Sequence, residues 1–226
     1  ALYELCDVVD IRGKFSRTLF LSFYCLSCWA YFLSGLDKHP LICGSFFAWV
    51  FAIFIVVSYP SSSRFFLKRY LSASVGALLL TGAAFSVLAI RESINGYFWL
   101  LWLVILTTSV DAGGYFVGRK YGNRALVPNV SPGKTLEGLL GGVFACLVIC
   151  GALNFVFESQ TTLGFLILLP LIFFAVVGDL FMSVVKRAHC KKDSGSILPG
   201  HGGLLDRIDS IIPVMTAAAA FIAIGG

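Results

Sequence analysis

The sequence predicts an all-α, polytopic integral membrane protein with about seven transmembrane helices. Three observations carry that prediction. Hydrophobic residues make up 58% of the 226-residue chain. Charged residues make up only 13%, against about 25% in an ordinary soluble domain. Apolar stretches recur along the chain, each of about 17 residues or more, enough to cross a hydrocarbon core of roughly 30 Å. In lipid every backbone N–H and C=O must be satisfied within its own segment, so each stretch is expected to be a helix.

Taken in order, residues 1–16 carry Glu4, Asp7, Asp10, Arg12 and Lys14 and lack the layout of a signal peptide. The chain opens on Ala1 rather than Met, and a start inside a longer sequence is the expectation. Apolar spans follow at about 18–36, 41–59, 71–90, 97–117, 135–157, 163–185 and 210–226. Basic residues fall in alternate connections: Arg12, Lys14 and Arg17; Arg64, Lys68 and Arg69; Arg119, Lys120, Arg124 and Lys134; then Lys186, Arg187, Lys191, Lys192 and Arg207. Only Lys38 and Arg91 of the 17 basic residues lie in the others. The positive-inside rule makes the rich side cytoplasmic. The net charge of +5 is therefore first a topology signal, and no aromatic-interleaved basic patch points to nucleic acid.

The seven cysteines cannot all pair within the chain. Cys25, Cys28, Cys43, Cys146 and Cys150 lie in apolar segments, where Cys behaves as a small hydrophobe. Cys25-x-x-Cys28 has neither a second pair nor a nearby His at zinc spacing, so a buried apolar role is expected. Cys190, in a charged loop, is the thiol expected to be accessible.

Function concentrates in that loop. Residues 183–209, SVVKRAHCKKDSGSILPGHGGLLDRID, set cations, acids and glycines between two membrane-grade segments. Cations that grip phosphate, acids that hold a metal, and glycines that admit a ligand close to backbone suit phosphoryl or nucleotidyl chemistry. Two intramembrane acids, Asp111 and Asp179, mark function by their cost in lipid. Asp111 lies eight residues before Arg119, about 12 Å along a helix, and Asp179 seven before Lys186, about 10 Å. The two acids thus share a depth, and Asp206 and Asp209, three apart, share a helical face. Carboxylates with few His or Cys neighbours suit a hard cation, Mg²⁺ above all. Ser131 followed by Pro132 reads as a helix start, an N-cap with Pro at the first position, and helix N-termini attract phosphate. Gly133-Lys134-Thr135 resembles the end of a P-loop, but Pro128 stands where that motif needs Gly. His201, in Pro199-Gly200-His201-Gly202-Gly203, sits in a turn that permits close approach of a ligand.

These residues resemble the signature of the phosphatidate cytidylyltransferase family, the CDP-diacylglycerol synthases of bacterial type. The match runs through Ser183-x-x-Lys186-Arg187, Lys192-Asp193, Pro199-Gly200-His201-Gly202-Gly203 and Asp206-Arg207-x-Asp209. Upstream blocks match too: Asp111-Ala-Gly-Gly-Tyr115-Phe116-Val-Gly118-Arg119, Ser131-Pro132-Gly133-Lys134-Thr135-Leu-Glu137-Gly138 and Gly178-Asp179-Leu180. It is strong over 91–210 and weak over 1–90. It divides the chain into N-terminal helices, 1–95, and a catalytic transmembrane region, 96–226, with cytoplasmic loops 119–134 and 186–209. Two departures stand out: Val110 and Ala112 flank the first acid where the family often has Ser and Thr, and Met182 replaces the family's usual Glu.

The resemblance implies synthesis of CDP-diacylglycerol and pyrophosphate from CTP and phosphatidate, at the bacterial inner membrane with the site facing the cytoplasm. It implies Asp179 and Asp206 as metal ligands supported by Asp209, with one or two cations. It implies catalytic roles for Lys186, Arg187, Lys192, Asp193, His201 and Arg207. Asp111, Arg119, Ser131, Lys134, Thr135 and Ser183 would bind substrate, and the chain would form a homodimer. Two other functions are weighed: a CTP-dependent lipid or polyprenol kinase, and an ion-coupled transporter. The absence of an internal repeat and the gathering of polar groups toward one face count against transport.

Overall fold

The computed structural model describes residues 1–11, 13–63, 69–156, 162–195, 197 and 202–225. Among them the regular elements are helices and one hairpin: α1 (Leu2–Val8), α2 (Lys14–Leu33), α3 (His39–Val57), α4 (Arg69–Glu92), α5 (Gly96–Tyr121), β1 (Ala125–Val127), β2 (Ser131–Thr135), α6 (Leu136–Val156), α7 (Thr162–Ala188), α8 (Leu205–Ile208) and α9 (Ile211–Gly225). Each predicted apolar span corresponds to one of the seven longer helices. Five of them, α3 to α7, are long and apolar enough to cross a membrane, and α9 is a shorter apolar helix.

Burial ranks the helices. In α7, 67% of the most apolar stretch is buried inside the fold, against 22% in α6, so α7 is central and α6 peripheral. Trp49, Trp102, Leu103, Leu106, Leu168 and Leu171 anchor a core that draws on both halves of the chain. α5 and α6 pack backbone to backbone. A Cβ on Gly142 would come within 2.6 Å of the Val110 carbonyl oxygen, and one on Gly113 within 2.6 Å of Ala145 Cβ. Small residues at these crossings are what lets two membrane helices approach so closely.

The basic-rich connections gather at one end. There Arg17 Nη2 pairs with Asp7 Oδ1 at 2.5 Å, Arg69 Nη1 donates to the Asp10 carbonyl at 3.3 Å, and Lys191 Nζ contacts the Asp7 carbonyl. At the other end Lys38 pairs with Glu92 at 2.6 Å and Arg91 Nε donates to the Tyr97 hydroxyl at 3.2 Å. The charge asymmetry of the sequence is thus an asymmetry of the folded molecule. Arg12, Arg64 and Lys68 lie outside the described residues.

Three expectations need correction. Ser131 does not start a helix: Ser131–Thr135 is a strand, antiparallel to Ala125–Val127 with Val127 opposite Ser131 and Ala125 opposite Thr135. The reason is the turn Val127–Val130, closed by the Val130 N–H on the Val127 carbonyl at 3.1 Å, which folds the chain back on itself. Pro132 lacks an N–H and suits an outer strand as well as a first helical turn. Arg119 and Lys120 sit in the last turn of α5 rather than in a loop, where cations complement the helix dipole. Cys25 is exposed on α2, a helix with no buried residue, rather than packed as a buried hydrophobe. Cys190 is exposed as expected.

Candidate active site at the basic end of the bundle

A cavity of about 380 Å³ opens at the basic end between α5, the hairpin, α6, α7 and α8. Asp111, Asp179, Asp206 and Asp209 all line it, with Lys134, Thr135 and Arg207. Four acids scattered over about a hundred residues of sequence therefore face one opening. The central helix α7 carries Asp179, and α8 with the turn after it carries the last two.

Each acid is held differently. Lys134, on β2, forms an ion pair with Asp179 across the cavity. Asp206 Oδ1 accepts from Lys186 Nζ at 2.6 Å, while its Oδ2 accepts the Ser194 N–H at 2.8 Å and the Gly203 N–H at 3.4 Å. Burial opposes the charged form of Asp206, but Lys186 and the Ser194 N–H outweigh it and hold the carboxyl below the usual range. Asp209 is 6% exposed. Burial, with the Asp179 carboxylate second, pushes its carboxyl up to about 8. Ser210 links the set: its N–H donates to Asp209 Oδ1 at 2.8 Å and its hydroxyl to Asp111 Oδ2 at 3.1 Å.

The hairpin positions the opposite wall. Thr135 is the N-cap of α6, its Oγ1 accepting the Gly138 N–H at 3.1 Å. Glu137 Oε2 accepts the N–H groups of Asn123 and Arg124, both at 3.1 Å, and so joins the end of α5 to the start of α6. The phosphate-attracting helix start therefore lies at Thr135, four residues beyond the position expected from Ser131. Replacing Thr135 with Ala is expected to cost about 1 kcal/mol of stability, with Thr135→Ser near wild type; thermal unfolding in detergent measures both.

Other expected site residues stand elsewhere. Arg119 donates to the Tyr115 hydroxyl at 2.7 Å on an exposed face. Arg187, Lys192 and Asp193 are exposed, and with Ser131 and Ser183 they do not line the cavity. Lys186 stands behind Asp206. His201 lies outside the described residues. Met182 is buried in a small apolar cleft with Leu5, Trp49, Leu205 and Ile212, so this position faces the core and not the acids. Sequence reasoning missed Ser210 and Glu4. Glu4 is fully buried, and both its oxygens accept N–H groups at the start of α8. No motif or spacing marks Glu4 in the sequence, because its partners are backbone groups.

The donors suit a hard cation, being carboxylate oxygens. Among the described residues no three His, Cys, Asp or Glu side chains form a metal cage by themselves. Mg²⁺ commonly uses one or two carboxylates and completes its shell with water and substrate phosphates, and the Asp179–Asp209 pair fits that pattern. Asp206 has both oxygens engaged by the protein.

A model of the cytidylyltransferase family matches residues 1–225, the whole bundle with its cavity. The chain belongs to the cytidylyltransferase family. Within it, the chain is 40% identical over 188 residues to a phosphatidate cytidylyltransferase of Haemophilus influenzae, covering 76% of this chain and 63% of that protein. It is 42% identical over 229 residues to that of Bacillus subtilis, covering 95% of this chain and 81% of the relative. It is 36% identical over 175 residues to that of Pseudomonas aeruginosa, covering 75% and 65%. The chain thus spans a little under two thirds of two of these cytidylyltransferases and four fifths of the third.

Proposed function

We propose that this cytidylyltransferase makes CDP-diacylglycerol and pyrophosphate from CTP and phosphatidate. The observation that carries the reading is the cavity in which Asp111, Asp179, Asp206 and Asp209 meet Lys134 and Arg207 at the end of an apolar bundle. The names of the relatives agree with it. An oxygen of the phosphatidate phosphate attacks the α-phosphorus of CTP, the bond to the bridging oxygen breaks, and pyrophosphate leaves with that electron pair. The nucleophile is already an anion, so no strong base is required, and catalysis rests on positioning and charge.

The chain's own groups divide that work. Lys134, released from Asp179, lays its ammonium against the triphosphate, while Arg207 offers a planar fork to phosphate oxygens. The start of α6 at Thr135–Gly138 adds N–H groups beside the nucleotide. Lys186 holds Asp206, which in turn holds the Ser194 segment. Val110, Leu139 and Val176 form the apolar wall along which the lipid enters with its tails in the bilayer. Asp179 and Asp209, with Asp206 beside them, would hold Mg²⁺, which would supply positive charge to offset that of the phosphates. The basic end faces the cytoplasm, where CTP is available.

The test is incubation of purified protein with phosphatidate, labelled CTP and Mg²⁺. A CDP-lipid and pyrophosphate in equal amounts are expected, and chelation of divalent cations stops both. Release of CDP with a phosphorylated lipid would make the protein a kinase; no CTP turnover, with uptake of solute into liposomes, would make it a transporter.

A further inference from the structure

Helix α8 is four residues long, yet it carries Asp206 and leads directly into Asp209. Its own N-cap position, Leu204, supplies no side-chain cap. The first N–H groups of a helix have no intrahelical acceptor, so a short helix at a cavity mouth needs one from elsewhere. Glu4 supplies it from the other end of the chain. Its Oε1 accepts the Leu204 N–H at 2.7 Å and its Oε2 the Leu205 N–H at 2.8 Å, across 200 and 201 residues of sequence.

The surroundings are shaped around this carboxylate. Glu4 is 0% exposed. A Cβ on Gly195 would come within 3.1 Å of Glu4 Oε1, so the charged loop lies close against Glu4; one on Gly203 would meet Ser194 Oγ at 2.0 Å as well as Glu4 Oε1 at 3.0 Å. Leu5, the next residue, packs in the cleft with Met182 and Leu205. The Asp7 carbonyl in the last turn of α1 and Asp10 Oδ1 just beyond it, the latter at 3.9 Å, receive Lys191 at the loop's start.

We propose that Glu4 is a positioning residue for the active site: α1 clasps the charged loop, and the Glu4 carboxylate fixes α8 so that Asp206 and Asp209 face the cavity. The kinetic part of this proposal rests on the nucleotidyl-transfer reading; the structural part does not. Hydrogen exchange at residue resolution tests the structural part in the wild-type protein. The Leu204 and Leu205 amides are expected to exchange at least about a hundredfold more slowly than unstructured amides. Exchange at the unprotected rate overturns the proposal, whether or not the protein turns over CTP. In Glu4→Gln, one oxygen becomes a donor facing an N–H. The same two amides are expected to lose protection while those of α7 keep theirs. The KM for CTP, which loss of folded protein does not move, rises severalfold, and turnover per folded molecule falls about tenfold or more. Glu4→Asp recovers part of both. A folded Glu4→Gln protein with wild-type KM and turnover overturns the proposal, and if that variant does not fold the wild-type exchange decides it. No turnover by the wild type would remove the proposed reaction and leave the exchange result to judge Glu4.

Discussion

Asp179→Asn is expected to lower the proposed nucleotidyl transfer by at least about a hundredfold while leaving the protein folded. The substitution keeps the shape of the side chain and removes its charge. Asp179 is the acid on the central helix, paired with Lys134 across the cavity and close enough to Asp209 for the two charges to oppose each other. Without that charge Lys134 loses its partner, and the seat proposed for Mg²⁺ keeps one of its two near carboxylates. Stability should change little, by less than about 1 kcal/mol, because both side chains of the pair are part exposed and such a pair contributes little. Turnover per folded protein and thermal unfolding in detergent separate the two effects. Wild-type turnover in folded Asp179→Asn would remove Asp179 from the site.

Gly178→Ala is expected to be nearly as damaging by a different route. A Cβ at this position would lie 2.3 Å from the Asp209 carbonyl oxygen and 2.5 Å from Pro213 Cγ. The first obstacle is backbone, which has no rotamer to change. The start of α9 must therefore shift away from α7, taking Asp209 and Ser210 with it. Overpacking of this kind costs about 1–3 kcal/mol. A displacement near 1 Å at Asp209 is enough for about a hundredfold loss of turnover. A lowered midpoint of unfolding together with lost activity is the expected pair of results. An alanine protein with unchanged stability and turnover would show that α9 is free to move at this point.

Both predictions depend on residues that were legible as residues but not as neighbours. Asp179 stood out because a carboxylate within an apolar run is costly. Gly178 stood out only as part of a motif, and its closeness to Asp209 belongs to the packing of α9 on α7. The hairpin shows the same division. Lys134 was recognisable as a phosphate-binding candidate, yet the element beneath it was misread, because Ser-Pro serves a strand and a helix start equally well. The Val127–Val130 turn, a local hydrogen bond, decides between them. Glu4 was nearly silent in sequence, since its partners are backbone N–H groups some 200 residues away and backbone groups leave no mark on composition or spacing.

The sequence by itself determined the class of the molecule, the places of its helices and the end at which its charge gathers. These follow from how each segment meets lipid and water, a property of residues taken a stretch at a time. Only the tertiary structure decided which polar groups face one another: Lys134 with Asp179, Lys186 with Asp206, Ser210 with Asp111, and Glu4 with the start of α8. Those pairings are set by close helix crossings and short backbone contacts between distant segments, where a few tenths of an ångström select the partner and no sequence period records the choice.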